Sequence, residues 1–121
     1  MERRYRLAPN ERFQQVRCEG RSWSHPLLVL FALTNELPRS RFGFVVSKRV
    51  GNAVVRNRAK RLMREAARVR LSGTVPGWDL VLVARGAMAK ADVWRTGEAL
   101  DSLLDRAGLL APSRPSLDTG K

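Results

Sequence analysis

Apolar residues fall along this chain in blocks whose period changes several times. Positions 27–34 are almost continuously apolar between Pro26 and a polar turn ending at Pro38, the pattern of a buried strand. Over 41–48, Phe42, Phe44 and Val46 alternate with Gly43, Val45 and Ser47, the period of a strand with two different faces. The short 35–40 link predicts an antiparallel hairpin between these two strands. After Val50-Gly51-Asn52 the period becomes helical. Val55, Ala59, Leu62, Ala66 and Val69 recur at spacings of 4, 3, 4 and 3, so a helix over 53–70 would carry one apolar stripe. Asn52 suits its N-cap, and Gly73 with Pro76 ends the segment. Within 79–85, Leu80-Val81-Leu82-Val83-Ala84 shows no polar alternation and predicts a third strand.

The flanks complete the picture. Residues 1–9 read as extended. A short helix follows, capped by Asn10 and stopped by Gly20, with Phe13 and Val16 on its apolar side and Arg17 one turn beyond Phe13. Residues 21–26 read as a turn or short edge strand. A last helix is predicted from its N-cap Asp92 to Arg106, with Gly108 as the stop and Val93, Thr96, Leu100, Leu103, Leu104 and Ala107 facing inward. Residues 112–121 have the composition of a disordered tail. The order is helix, strands, helix, strand, helix. That predicts an α+β layer architecture with a small sheet and helices against it, forming one domain over 1–111.

Composition narrows the function. The chain has 121 residues, 44% of them hydrophobic, enough for one core without a metal or a disulfide. One cysteine, Cys18, cannot form an intrachain disulfide, and Cys18 with the single histidine, His25, cannot supply a His/Cys zinc site. No motif surrounds His25 that would place it in a nucleophilic triad. The arginine-rich N-terminus lacks the apolar run of a signal peptide, and nothing approaches the ~20 apolar residues of a membrane helix. The sequence therefore predicts a cytoplasmic protein without a membrane partner.

Charge then points to a partner. The chain carries 23 Lys and Arg against 11 Asp and Glu, a net charge of +12, which favours a polyanion. Positions 39–70 alone hold eleven basic residues and one acid, Glu65; the rest of the chain is nearly balanced. On a helix over 53–70, at ~100° per residue, Arg56, Asn57, Lys60, Arg61, Arg64 and Arg68 lie opposite the apolar stripe. Arg58 sits at the boundary, free to pair with Glu65 or to brace the helix. Most of these cations are arginines, whose planar fork grips phosphate bidentately and stacks on bases. Lys48 and Arg49 precede the helix N-terminus, where free backbone amides favour an anion.

The run from Phe44 to Glu65, with Ser47-Lys48-Arg49-Val50-Gly51-Asn52-Ala53-Val54-Val55 leading into Arg56-Asn57-Arg58-Ala59-Lys60-Arg61, closely resembles the signature of the bacterial ribonuclease P protein component. The resemblance covers about residues 3–107. It implies an α-β sandwich of the ribosomal-protein S5 domain 2-like type, with a left-handed βαβ crossover around the basic helix; general packing rules alone favour the right-handed form. It also implies an accessory subunit of an endoribonuclease in which the RNA, with bound Mg2+, cuts the phosphodiester. The implied partners are ribonuclease P RNA and precursor tRNA, with no DNA. The implied RNA-binding residues are Lys48, Arg49, Asn52, Arg56, Asn57, Arg58, Lys60, Arg61, Arg64 and Arg68.

The same resemblance implies a cleft between the first helix and the sheet for the single-stranded 5′ leader of precursor tRNA. Carried onto this chain it uses Phe13, Arg17, Val29, Phe31 and Val45. Aromatic platforms with a cationic track suit single-stranded RNA, although ordinary core packing would equally explain Phe13 and Phe31. Trp23, Trp78 and Trp94 are expected to pack, and Gly97 to let its helix approach the sheet. Glu65 and Asp79 are expected to pair structurally rather than hold Mg2+, which prefers phosphate oxygens. Three other functions fit less well: a structural RNA binder of ribosomal-protein type, a DNA binder with the basic helix in a major groove, and a self-sufficient nuclease.

Overall fold

The computed structural model describes residues 2–8 and 10–111, so the tail expected at 112–121 lies outside the described residues. Helix α1 (Glu11–Glu19) is followed by β1 (Arg21–Ser24), β2 (Leu28–Thr34) and β3 (Arg41–Val45). Then come α2 (Ala53–Arg70), β4 (Trp78–Ala84) and α3 (Val93–Ala107). Each helix starts on the cap its sequence predicts. The Asn10, Asn52 and Asp92 side chains accept hydrogen bonds from the backbone amides of Arg12, Val55 and Arg95, meeting part of the unsatisfied N-terminal donors. Gly108 ends α3 in the left-handed region, at φ 73°.

The sheet order is β1-β2-β4-β3. This corrects the hairpin expected between β2 and β3, because β4 slots between them. It runs antiparallel to β2 and parallel to β3. The reason lies in burial. The uninterrupted apolar run of β4 needs cover on both faces and a paired strand on each side, which only a central position provides. The 35–40 link is long enough to step across: six residues span up to ~20 Å, and two strand spacings are about 10 Å. Asn35 holds its start, with its amide N–H donating to Gly77 O at 2.9 Å and its side chain accepting from Leu37 N at 2.7 Å.

The two faces of the sheet have different covers. Leu28, Leu30, Ala32, Phe42, Leu80 and Leu82 pack with α2 and α3 into the larger core. On the other face Val81 packs with Leu7, Phe13 and Val16 beneath α1. Phe13 lies directly over Gly43: a Cβ there would sit 2.3 Å from the Phe13 Cζ atom. The glycine is what lets the ring close onto β3. Helix α1 covers only part of its face, leaving Val29, Phe31, Val45 and Val83 half-buried.

Some expectations fail in detail. Residues 3–5 form a 3-10 turn rather than extended chain, and only Arg6 then bridges to Phe42 at the β3 edge. The inward face of α2 is Ala59, Met63, Ala66 and Ala67, while Val69 at the end of the predicted stripe is 59% exposed. Val93 is likewise exposed on α3, and Trp94 projects from the surface at 79% exposure instead of packing. Gly97 makes room for the Arg70 guanidinium, whose nearest nitrogen would lie 2.6 Å from a Cβ there, and not for the sheet.

Candidate nucleic-acid interface

Helix α2 packs Ala59, Met63, Ala66 and Ala67 inward, so the residues between them must face out. Asn57, Lys60 and Arg61 are exposed, and their side chains form no hydrogen bond or ion pair among the described residues; Arg56 and Arg64 are half-buried beside them. The Arg56 Nε is buried with no hydrogen-bond partner. Arg68 shares the outer face but donates to both carboxylate oxygens of Glu65, one turn earlier. The Arg68 contact lowers the Glu65 pKa, and Glu65 in turn raises that of Arg68. The acid thus partly offsets one cation of the stripe. Of the two roles the sequence left open for Arg58, pairing with Glu65 or bracing the helix, the structure shows the second: its side chain donates to Ala91 O at 2.6 Å. Arg58 is therefore a brace between α2 and the start of α3, despite its place in the Arg-Asn-Arg run. Arg70 is a second brace, bound to Asp101 of α3 at 2.6 Å.

Upstream, residues 48–50 form a 3-10 turn with Lys48 and Arg49 exposed and Val50 buried. The turn delivers these two cations to the N-terminal end of α2, where Asn52 itself occupies one of the free amides. The interface thus reads as a ridge from Lys48 through Arg56, Asn57, Lys60 and Arg61 to Arg64. Its side chains carry donors and no acceptor acids except Glu65.

The sheet face beside α1 is a different surface. Pairing places Val29 opposite Val83 and Val83 opposite Val45, so the three valines form one row across β2, β4 and β3. Phe31 lies next on β2, half-buried, with the Arg17 guanidinium 5.6 Å above its ring centre, a cation–π arrangement. Arg17 is exposed on the outer side of α1. Val29, Phe31 and Val45 therefore lie on one half-covered face of the sheet beside α1, with Arg17 over Phe31. Phe13 does not share it as a platform: it is 7% exposed and belongs to the core under α1. Val83, in the middle of the floor, was missed because the expected β2–β3 hairpin left no place for it. The unbroken apolar run Leu80–Ala84, which needs cover on both faces, was the signal available.

The wall of the groove is fixed by Asp79, which is 0% exposed at the start of β4. Its Oδ2 accepts from Arg12 Nε of α1 and Arg41 Nη2 of β3, each at 2.7 Å, and its Oδ1 accepts from Arg41 Nε and Asn35 Nδ2. Burial alone would raise the Asp79 pKa, but these donors outweigh it and hold the carboxyl below its ordinary value. Arg12 also donates to Thr34 O at 2.7 Å. Both carboxylates that might have held Mg2+, Glu65 and Asp79, are thus occupied by arginines. Among the described residues no three His, Cys, Asp or Glu side chains cluster as metal ligands. Engaged in this way, neither Glu65 nor Asp79 is free to hold Mg2+.

No helix among the described residues is long and apolar enough to cross a membrane. The family model described as Ribonuclease P matches residues 1–108. A ribonuclease P protein component from Roseiflexus castenholzii is 44% identical over 111 residues, covering 91% of each chain. The solved ribonuclease P protein of Staphylococcus aureus superposes with a TM-score of 0.80 at 31% identity, over 88% of this chain and 97% of that one. The Thermotoga maritima ribonuclease P protein superposes at 0.77 and 31% identity, over 84% of this chain and 96% of that one. A basic helix with its outer face free, a half-covered sheet and these relatives lead to one assignment: the chain belongs to the ribonuclease P protein family.

Proposed function

We propose that this chain is the accessory protein subunit of the endoribonuclease that removes the 5′ leader of precursor tRNA, and that the RNA subunit makes the cut. The ridge on α2 binds the RNA subunit through phosphate contacts. The groove formed by Val29, Phe31, Val45 and Val83 under Arg17 receives the single-stranded leader, with a base on Phe31 and phosphates near Arg17. Holding the leader while the RNA holds the tRNA body raises the effective concentration of each contact for the other. Mg2+ belongs with the RNA phosphates, which match its preference for few protein carboxylates.

The observation that carries this reading is the separation of two RNA-suited surfaces, one on an outer helix face and one on the opposite face of the sheet. A protein that only bridges two RNAs needs that, and a nuclease needs something else. Two groups that a protein nuclease could use are engaged elsewhere: Asp79 is buried among arginines, and His25 Nδ1 accepts from Leu27 N at 3.0 Å. Reconstitution with a bacterial ribonuclease P RNA at low Mg2+ tests the reading. Leader removal should rise on adding the protein. No stimulation, together with equal affinity for ribosomal RNA, would instead favour a structural RNA binder of ribosomal-protein type.

A further inference from the structure

A pocket of about 360 Å3 opens at the β3 edge of the sheet, beside the α2 ridge and sharing Lys60 and Arg64 with it. It lies where the N-terminal segment leaves the sheet after Leu7 N donates to Phe42 O at 2.8 Å. Arg3, Arg6, Leu7 and Ala8 line it from that segment, Lys60 and Arg64 from α2, Phe42 and Phe44 from β3, and Phe13 from α1. The two rings are nearly coplanar in orientation, 8° apart with centres at 6.4 Å. Phe42 is fully buried, and Phe44, half-buried beside it, keeps part of its ring accessible to the pocket. Among the described residues no acid lines the pocket.

We propose that this pocket takes one unpaired nucleotide of the RNA subunit, with its base against Phe44 and its phosphate between Arg6 and Arg64. The inference rests on the reading that α2 binds that RNA. Cations from two separate elements face one cavity over a flat aromatic ring. A free anion has no use for that ring, and an apolar peptide has no use for four cations. A nucleotide uses both, through stacking and charge-assisted hydrogen bonds. The volume is at the small end of ligand sites, ~300–1,000 Å3, so it admits a single nucleotide and excludes a duplex. Lys60 and Arg64 are shared with the α2 ridge, which favours the RNA subunit over the leader as the source. The leader groove lies on the opposite face of the sheet, where Phe44 does not reach.

The test measures binding of the full chain to ribonuclease P RNA across ~0.1–0.4 M salt for Phe44→Leu, Arg6→Gln and Arg21→Gln. Phe44→Leu keeps apolar packing but loses stacking, and should weaken binding about tenfold with the salt slope unchanged. Arg6→Gln should reduce the slope by about one, and Arg21→Gln, at the far sheet edge, should leave it unchanged. In the free protein, AMP should shift the Phe44 ring resonances more than ribose 5-phosphate does. Thermal melts check folding; if Phe44→Leu unfolds, Arg6→Gln against Arg21→Gln decides. Wild-type affinity in both Phe44→Leu and Arg6→Gln, while Arg61→Ala still weakens binding, would refute the pocket and leave the α2 reading standing. A loss seen only with leader-bearing precursor tRNA would overturn the assignment to the RNA subunit.

Discussion

Arg12 of α1 and Asp79 of β4 meet at 2.7 Å across the end of the sheet, and this pair sets where α1 stands. Asp79 also takes Arg41 and Asn35, so a single carboxylate ties α1, β3 and the link after β2 to the central strand. The groove beside α1 inherits its width from that junction.

Asp79→Asn should destabilise the fold by about 1–3 kcal/mol at neutral pH, through weakened charge-assisted hydrogen bonds. The lower part of the range is expected because Arg12 and Arg41 are partly exposed and can rehydrate. Urea unfolding at pH 7 measures it. An unchanged midpoint would mean the junction contributes nothing.

The same residue fixes an acid dependence. The folded pKa of Asp79 lies below its unfolded value, which is ~3.9. Its stabilisation is therefore complete above that value and is lost as pH falls through the folded one. Wild type should lose stability below pH ~4 more steeply than Asp79→Asn, so the two curves converge in acid. Parallel curves would show that other carboxylates dominate.

Along α2, Lys60→Ala and Arg61→Ala should each weaken assembly with ribonuclease P RNA by about 1–2 kcal/mol at ~0.15 M salt, and each should lower the salt slope by about one. Arg68→Ala should matter less, because Glu65 already engages it. Glu65→Gln should tighten binding by freeing Arg68. A titration in which Arg68→Ala equals Arg61→Ala would show that RNA strips Glu65 away.

Phe31→Ala should reduce affinity for precursor tRNA carrying a leader, by about 1–3 kcal/mol for one stacked base, and leave mature tRNA unaffected. Arg17→Gln should follow the same selectivity with a smaller loss. Equal losses on both RNAs would remove the leader from the groove.

Gly43→Ala should cost about 1–3 kcal/mol by overpacking, because the new methyl meets the Phe13 ring on α1. The penalty should shrink in a Phe13→Leu background, a coupling that a double-mutant cycle measures. Full additivity would place the strain elsewhere.

Local sequence determined much of this protein. The bounds of α2, its Asn52 cap, the Asp92 cap and Gly108 stop of α3, and the outward set Asn57, Lys60 and Arg61 all follow from period and cap chemistry within a few residues. Tertiary structure alone decided the insertion of β4 between β2 and β3, and with it the Val29–Val83–Val45 row and the partners of Asp79. It also decided that Arg58 braces the start of α3 instead of pairing with Glu65, and that Trp94 stays outside. Strand neighbours and the ends of long side chains are chosen by residues far along the chain. They compete for burial and for unpaired polar groups, and no local period records the outcome.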